Sequence, residues 1–433
     1  MDPRLRAAMG LALLVALAAT VCDARRELSM MKVMPRAVYT QTNDPAGNQI
    51  VAIMFDASSG MLVGNMTTRT PTGGMGAAGL GANGQPVTAD GLFSQGAVAI
   101  SGSWLFAVNG GSNTLSLFRI SDSDPTTLML VGTPVDTLGD FPVSVTYSAK
   151  CKTACVLNGG KRDGVSCFAV SATGLKPLDA SPRPVGLGQS ANPPTGPPST
   201  ASMIAFNPKG DILAVTIKGN LNDNRLGYIG LYRVSKTGMV SRTQSRAYSI
   251  FTSQPVGAGA SMIGFLPFGF AWVDDMTLSI SDPSVGAVTL CISSRDPMLA
   301  SIPVYKTDMA GGYAPAVFTL PEAAPCWAAY SDASGCAYIA DAATGTLVEI
   351  MPKSGGKLRS VFNVTSAFGI TLGSTPANTY GLLDTAAAGD LLFSVSPRSG
   401  SVVVVDVSGG SMAPRQLLAA GLPVSSMGLA VAC

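Results

Sequence analysis

The chain has 433 residues, of which 28 are Lys or Arg and 26 are Asp or Glu, so its formal net charge is +2. Charged residues make up only 12% of the sequence and form no basic cluster that could neutralise a row of phosphates, which argues against a nucleic-acid-binding surface. The chain contains no histidine. This excludes Ser-His-Asp and Cys-His catalytic groups and zinc sites with histidine ligands.

Residues 1–24 are typical of a secretory signal peptide. Arg4 and Arg6 precede an uncharged run over residues 7–22, and Ala24 offers a cleavage point. The run is shorter than the roughly 20 residues that span a bilayer, so the sequence favours a signal peptide over a membrane anchor. We expect a secreted protein with an exposed lead segment over residues 25–36 and one folded domain over residues 37–433.

A strand–turn–strand phrase begins at residue 38 and returns about every 55 residues, the mark of a repeat architecture. Each copy has two apolar halves joined by a turn rich in Gly, Asn, Asp or Ser. The copies occupy residues 38–56, 105–120, 154–170, 213–234, 278–293, 337–351 and 391–407. Because each unit cannot bury both of its faces alone, seven copies predict an all-β, seven-bladed β-propeller.

Apolar segments ahead of the phrases predict the innermost strands of the blades. They occupy residues 94–101, 141–148, 201–208, 267–274, 325–332 and 380–385. The first phrase has no such segment before it, and residues 424–433 have no phrase after them. These two leftovers complement each other, so we expect the C-terminal strand to pair with the N-terminal blade and close the ring.

Two long insertions interrupt the repeats. Residues 71–93 are Gly-rich, and residues 182–198 are Pro-rich. Loops of this length in a compact fold are often functional, and we expect the second to be ordered only if it packs over a face of the propeller. A Gly-x-Gly-x-x-Gly pattern within residues 73–79 is not followed by a helix-forming run, so it does not predict a nucleotide site.

Seven of the eight cysteines follow the signal peptide and in an oxidising compartment predict disulfides. Cys155 and Cys167 lie symmetrically about one hairpin turn, which places them opposite each other at a separation that a disulfide can bridge. Cys326 and Cys336 fail this test. An odd number leaves one free thiol, unless cleavage occurs upstream of Cys22.

Two sequons, at Asn65 and Asn363, predict N-glycosylation if the protein passes through a eukaryotic secretory pathway. A glycoprotein is therefore compatible with the predicted export.

Several segments together resemble the lactonase-type seven-bladed propeller family, which includes propeller 6-phosphogluconolactonases and fungal carboxymuconate cyclases. They are residues 39–62, 71–81, 94–120, 267–275 and 324–341. The resemblance covers nearly the whole mature chain and is nearest to secreted members of unassigned function. It implies the propeller fold, and lactone hydrolysis or a muconate-type cycloisomerisation as activities. Those enzymes are associated with a channel histidine beside Arg and Glu, and this sequence has no histidine.

Without histidine, a lactone could still be opened by a carboxylate base, with an Arg or a metal ion stabilising the oxyanion. The candidate carboxylates near turns are Asp282, Asp341 and Asp384. Each of them also fits a simpler role as a turn-capping residue, because Asp readily bonds the backbone of its own turn.

Residues on the innermost strands, and in the connections leading into them, are expected to line the central channel. The candidate ligand-binding residues are Ser94, Gln95, Ser144, Arg183, Ser202, Phe268 and Trp327. Aromatic faces combined with hydrogen-bonding groups suit a sugar-like or small organic ligand, and an arginine suits an anion. The alternatives are packing of the two aromatic residues between blades and a solvated loop position for the arginine.

Two functions follow from these patterns. The first is a secreted, monomeric binding protein without histidine-based catalysis, whose partner is a small organic or sugar-like ligand or an extracellular protein. The second is a lactone hydrolase or muconate-type cycloisomerase that uses a carboxylate and an arginine. No cofactor and no metal site is predicted, although oxygen ligands for a divalent cation such as calcium would leave no fixed spacing in a propeller.

Overall fold

The chain folds into seven antiparallel sheets, one for each of the repeated phrases. The computed structural model describes residues 36–223, 225–248, 266–283, 286–292, 324–354, 356–369 and 381–432. The predicted signal peptide and nearly all of the lead segment lie outside the described residues. The sheets form the blades of a seven-bladed β-propeller, which confirms the predicted fold class.

The blades are numbered from the N-terminus, and their strands are given from the channel outward. Blade 1 consists of β28 (Met427–Ala432), β1 (Ala37–Gln41), β2 (Gln49–Asp56) and β3 (Met61–Pro71). Blade 2 consists of β4 (Val98–Ser101), β5 (Trp104–Asn109), β6 (Thr114–Ile120) and the outer strands β7 (Leu128–Leu130) and β8 (Val135–Asp136). Blade 3 consists of β9 (Pro142–Ser148), β10 (Thr153–Asn158), β11 (Gly164–Ser171) and β12 (Gly174–Pro177). Blade 4 consists of β13 (Ala201–Phe206), β14 (Ile212–Ile217), β15 (Tyr228–Arg233) and β16 (Ser245–Tyr248).

The remaining blades follow the same plan. The described part of blade 5 consists of β17 (Phe270–Trp272), β18 (Thr277–Asp282) and β19 (Gly286–Cys291). Blade 6 consists of β20 (Pro325–Ser331), β21 (Cys336–Asp341), β22 (Thr346–Met351) and β23 (Lys357–Asn363), followed by the short helix α1 (Val364–Ala367). Blade 7 consists of β24 (Thr385–Ala388), β25 (Leu391–Ser396), β26 (Ser401–Asp406) and β27 (Ala413–Ala419).

The two chain ends meet in blade 1, as the unmatched sequence segments predict. Strand β28 pairs antiparallel with β1, with Ala37 opposite Ala432 and Gln41 opposite Met427. The backbone N–H of Arg36 extends this pairing by donating to the carbonyl of Ala432 at 2.7 Å. This pairing covers the edge of β1 and closes the ring by joining the two ends of the chain in one blade.

The core lies between adjacent blades. Tyr39 of blade 1 belongs to the same buried apolar cluster as Leu105 and Phe118 of blade 2. A second cluster joins blades 4 and 5, where Leu231 and Ile280 are both buried. Full burial of one such side chain contributes about 1.5–3 kcal/mol, so contacts between blades hold the ring together.

Both predicted insertions lie on one face of the ring, here called the top face, where each innermost strand begins. They belong to the connections from β3 to β4 and from β12 to β13. Leu80 of the first insertion donates to Pro194 of the second at 2.8 Å, and its carbonyl accepts from the N–H of Gly196 at 2.9 Å. The Pro-rich insertion is therefore ordered by packing over the propeller and against the Gly-rich insertion.

The inner strand of blade 7 differs from the prediction. The sequence placed it over residues 380–385, whereas β24 begins only at Thr385. Leu383 and Asp384 still exchange backbone hydrogen bonds with Val395, but in an irregular pairing. The irregularity lets the Asp384 side chain reach backbone N–H groups of blades 1 and 2.

Cys155 and Cys167 lie opposite each other in the β10–β11 hairpin and form a disulfide with a Cα–Cα distance of 4.1 Å. The remaining cysteines correct the expectation of a single free thiol. Within the described residues, four cysteines are unpaired because they sit on separate strands and turns, namely Cys151, Cys291, Cys326 and Cys336. As expected from the sequence, Cys326 lies beside the Pro325–Asp341 pair and not opposite Cys336.

Both sequon asparagines are exposed, Asn65 on β3 and Asn363 at the end of β23. The side-chain oxygen of Asn363 caps α1 by accepting from the N–H of Ser366 at 2.9 Å. This leaves its amide nitrogen, the atom that a glycan modifies, directed away from that hydrogen bond. A search of the described part of the chain for a helix of membrane-spanning length and apolarity returns no candidate.

Candidate ligand site at the top face

A cavity of about 380 Å³ opens at the top face. Its walls come from connections that lead into innermost strands and from connections between second and third strands, because both kinds end at this face. The described residues that line it are Ala89, Asp90, Pro197, Pro198, Lys218, Leu266, Phe268, Pro283, Ala324, Cys326, Trp327, Ala342, Gly381, Leu383, Pro397 and Arg398. Both long insertions contribute to this wall, the first through Ala89 and Asp90 and the second through Pro197 and Pro198.

Phe268 and Trp327 form the aromatic part of the wall. Their ring centroids are 5.0 Å apart in an edge-to-face arrangement, and both side chains are almost fully buried. The indole N–H of Trp327 donates to the carbonyl of Ser94 at 3.1 Å. The two predicted aromatic residues therefore line the cavity and are held in place by neighbouring blades.

The predicted polar residues meet around the channel, where they join blades. The Gln95 side chain bridges to Ala328 of blade 6, accepting from its N–H at 2.9 Å and donating to its carbonyl at 2.7 Å. The Ser144 hydroxyl donates to the Gln95 carbonyl at 2.7 Å, and the Gln95 N–H donates to the Ser202 carbonyl at 3.1 Å. These contacts tie blades 2, 3, 4 and 6 together below the cavity, and Ser94, Gln95, Ser144 and Ser202 are all buried.

Lys218 is a cavity residue that the sequence reading missed. It directly follows β14, and its side chain is only 3% exposed. The ammonium group donates to the Phe93 carbonyl at 2.7 Å and to the Ser202 hydroxyl at 2.5 Å, and it lies 4.2 Å from the centre of the Phe268 ring. Burial lowers the pKa of Lys218, and the negative charge of Asp90 opposes part of that effect.

Asp90 was also missed. It sits at the end of the Gly-rich insertion with a left-handed backbone, φ 56°, and one carboxylate oxygen accepts from the N–H of Ser94 at 3.2 Å. Burial raises the pKa of Asp90, and the charge of Lys218 lowers it in part. The buried thiol of Cys326 lies in the same wall, and its pKa is raised by burial and by Asp90.

Arg398 is the third charged residue of the wall. It lies in the single turn between β25 and β26, and it is exposed. Its guanidinium makes no hydrogen bond or ion pair with any of the described residues. Of the two cations among the described lining residues, it is the exposed one.

The three predicted catalytic carboxylates are not among the described residues that line the cavity. Asp341 caps its own turn, accepting from the N–H groups of Ala343 and Thr344 at 2.8 and 2.9 Å. Asp282 accepts from the N–H of Leu266 at 2.9 Å. For these two residues, the contacts are those of turn-capping and backbone-bonding carboxylates.

Asp384 has a different environment. It accepts from the N–H of Gly96 at 2.9 Å and from the N–H of Gly428 at 2.8 Å, so it links blade 7 to blade 2 and to the closing strand β28. Burial raises its pKa to about 7, although both hydrogen bonds favour the charged form. The carboxylate stabilises the place where the ring closes.

Arg183 is enclosed by protein groups. Its side chain is 3% exposed, forms an ion pair with Asp179 at 2.6 Å and donates to the carbonyls of Ser241 and Val240 at 2.8 and 3.0 Å. It also lies 3.9 Å from the Cys167 sulfur. Arg183 anchors the Pro-rich insertion to blade 4 and does not appear in the described cavity wall.

The sequence next to Lys218 contained a partial indication that this lysine is buried. Lys218 follows the strand ILAVTI, whose residues are all apolar except Thr216 and are all buried in the structure, so a lysine there was a candidate for burial. Asp90 and Arg398 carried no such signal, because each is a charged residue in a turn. Their meeting depends on the ring bringing blades 2 and 7 to the same cavity.

A search of the described residues for three or more Cys, Asp or Glu side chains able to hold a metal ion together gave no group. The charged side chains of the described wall are two cations, Lys218 and Arg398, and one carboxylate, Asp90, a set that suits an organic anion better than a metal ion.

No protein-family model and no curated relative matches the sequence. Solved structures do match the fold. The periplasmic gluconolactonase of Pseudomonas aeruginosa has a TM-score of 0.55 at 14% identity, covering 92% of this chain and 99% of that chain. A functionally unknown protein from Desulfotomaculum acetoxidans has a TM-score of 0.54 at 13% identity, covering 91% and 98%. A candidate 6-phosphogluconolactonase from Bacteroides fragilis has a TM-score of 0.52 at 13% identity, covering 91% and 97%. The protein thus has the fold of the lactonase-type seven-bladed propellers that its sequence resembles.

Proposed function

We propose that the protein is a secreted propeller that binds a small, mainly apolar organic molecule in the top-face cavity. The observation that carries this proposal is the cavity itself, about 380 Å³ in volume, with Phe268 and Trp327 as an aromatic wall. Its volume falls in the range of about 300–1,000 Å³ that is usual for small-molecule sites. Apolar residues such as Leu266 and Leu383 complete most of the remaining wall.

Binding is favoured over catalysis because the buried cation of the described wall and two of the predicted carboxylates are already engaged by protein groups. The Lys218 ammonium donates to two protein oxygens and lies 4.2 Å from the centre of the Phe268 ring, so it is held by protein groups and not directed at a substrate oxyanion. Asp282 and Asp341 accept backbone hydrogen bonds outside the described wall. No histidine is present to move a proton near neutral pH.

Export is the second part of the proposal. It is supported by the signal-like residues 1–24, by the Cys155–Cys167 disulfide and by the exposed positions of Asn65 and Asn363. In this proposal the mature protein acts as a monomer that carries one ligand site. Expression in a eukaryotic secretory system, with sequencing of the mature N-terminus and glycosidase treatment, tests the cleavage site and both sequons.

A titration series tests the ligand site. Mature protein is titrated with aromatic and sugar lactones and with their hydroxy acids, and binding is measured by calorimetry and by thermal shift. We expect Trp327→Phe to weaken the best ligand about three- to tenfold, because ring area is lost and the indole N–H no longer fixes the ring to the Ser94 carbonyl. Trp104→Phe, outside the described wall, is the matched control. Equal affinities in the wild type and in Trp327→Phe would argue against this site.

Lactone hydrolysis is the second candidate function, and Asp90 is the observation that favours it. Asp90 is the one carboxylate among the described lining residues, and burial raises its pKa. It could take a proton from a water molecule that attacks the lactone carbonyl, giving the ring-opened hydroxy acid. Lactone hydrolysis should then disappear in Asp90→Asn and persist in the control variant Asp341→Asn. Its rate should be the same with added calcium and with EDTA, because this mechanism uses no metal ion. Ligand binding without any turnover would leave binding as the function.

A further inference from the structure

We infer that the ligand is a small amphiphilic carboxylate whose charged end is received by Arg398 while its apolar body contacts Phe268 and Trp327. This inference rests on the proposed ligand site and specifies the chemical class that the site accepts. It also assigns a specificity role to an arginine that the sequence reading did not single out.

The charge of the wall is the first argument. Among the described lining residues, Lys218 and Arg398 are cationic and Asp90 is the one carboxylate, so two positive charges face one negative charge. Burial raises the pKa of Asp90 and lowers the pKa of Lys218, so it weakens the charge of both buried groups and leaves the exposed Arg398 as the persistent charge of the described wall. A mostly apolar cavity with a positive balance favours an organic anion over a neutral molecule or a cation.

The two cations have different roles. Lys218 is buried, and its ammonium donates to the Phe93 carbonyl and the Ser202 hydroxyl and lies against the Phe268 ring. It therefore contributes to the electrostatic potential of the cavity while its hydrogen bonds go to protein groups. Arg398 is exposed, and none of the described residues accepts its N–H groups. A planar guanidinium with free donors matches the two oxygens of a carboxylate.

The backbone beneath Arg398 is held in one conformation. The residue lies in a single 3-10 turn, Pro397–Ser399, and Pro397 is buried. Gly400 ends the turn with φ 66°, and its N–H donates to the Pro397 carbonyl at 3.0 Å. A fixed backbone limits the region in which the guanidinium can move, which lowers the entropy lost when it binds a ligand.

The rest of the wall restricts the ligand further. Pro197, Pro198, Leu266 and Leu383 offer no hydrogen-bonding side chains. A polyhydroxylated anion would lose hydration at these surfaces without regaining hydrogen bonds, whereas an aromatic or aliphatic body gains from burial. The favoured class is therefore an aromatic or branched aliphatic carboxylic acid.

A set of three ligands with one ring system tests this inference. 2-Naphthoate, 2-naphthamide and 2-naphthylmethylamine are titrated into mature protein by calorimetry. We expect naphthoate to bind at least about tenfold more tightly than naphthamide, as charge-assisted hydrogen bonds allow, and naphthylmethylamine to bind weakest. In Arg398→Gln the preference for naphthoate should vanish while naphthamide affinity stays unchanged. Lys353→Gln, an exposed position between β22 and β23 at the opposite face, is the matched control and should keep the wild-type pattern.

The outcomes separate the two proposals. Similar affinities for naphthoate and naphthamide, both weakened by Trp327→Phe, would overturn the anion preference and leave the ligand site standing. A naphthoate preference that persists in Arg398→Gln would overturn the role of Arg398. Failure of all three ligands to bind would overturn the anion inference and count against the cavity as a ligand site.

Discussion

Arg183 and Arg398 show how the same type of side chain serves two purposes in one propeller. Arg183 is buried, ion-paired with Asp179 and bonded to backbone carbonyls of blade 4. Arg398 is exposed at the cavity, and its donors have no acceptor among the described residues. The difference lies in the surroundings: a disulfide-linked hairpin and a neighbouring turn close over Arg183, whereas Arg398 ends on a cavity. The first should therefore control stability and the second ligand specificity.

The largest effect should come from Arg183→Met. The Asp179 side chain, 4% exposed, would be left as an uncompensated buried charge, so the free energy of unfolding should fall by about 3–5 kcal/mol. Urea unfolding followed by tryptophan fluorescence measures the change. A loss below about 1 kcal/mol would mean that the ion pair is not the anchor described here.

Removal of the disulfide beneath Arg183 should have the next largest effect. Cys155 and Cys167 are 12 residues apart in sequence, and a cross-link of this span stabilises by about 3 kcal/mol. The double variant Cys155→Ser/Cys167→Ser should unfold at correspondingly lower urea concentration and keep its ligand affinity. Cys291→Ser, at an unpaired cysteine, is the control. Equal stability of both variants would contradict this assignment.

A smaller, pH-dependent effect should come from Asp384. Its folded pKa of about 7 lies above its unfolded value, so the native state holds a proton that the unfolded chain releases. The stabilisation is fully present below about pH 4 and is lost as the pH rises towards 7, at up to about 1.4 kcal/mol per pH unit. The free energy of unfolding of the wild type, measured relative to that of Asp384→Asn, should therefore fall from pH 4.5 to pH 6.5. Comparison with Asp384→Asn removes the contribution of Asp90, whose pKa is also raised. A difference that is constant with pH would contradict the raised pKa.

The smallest effect on stability should come from Arg398→Ala. Because the side chain is exposed and has no partner among the described residues, the free energy of unfolding should change by no more than about 0.5 kcal/mol. The same variant should lose affinity for a carboxylate ligand. Substantial destabilisation would show that Arg398 stabilises the fold, as Arg183 does, and would contradict the different roles assigned to the two residues.

The repeats made most of the architecture predictable. Seven similar phrases required seven similar sheets, and the unmatched ends required the β1–β28 pairing. The disulfide followed from one local symmetry, because Cys155 and Cys167 flank a single hairpin turn. These features depend on short-range pattern, which a sequence displays directly.

The site was predictable only in part, because it depends on which side chains the closed ring brings together. The innermost-strand rule found Phe268 and Trp327, which line the cavity. It did not distinguish Arg183 from Arg398, since both are arginines in connections and only the packing around them differs. Asp90 and Lys218 come from blades 2 and 4, and their interaction across the cavity follows from tertiary structure alone.

The most direct test of the ligand site uses a protein with a single tryptophan. The chain has three tryptophans, so Trp104→Phe/Trp272→Phe leaves Trp327 as the only indole. The fluorescence of this variant is followed during titration with 2-naphthoate, with 2-naphthamide as the neutral comparison. The account predicts a saturable change in Trp327 emission that occurs at lower concentration for naphthoate. Naphthoate binding, established by calorimetry, with no change in Trp327 emission would place the ligand elsewhere and contradict the account.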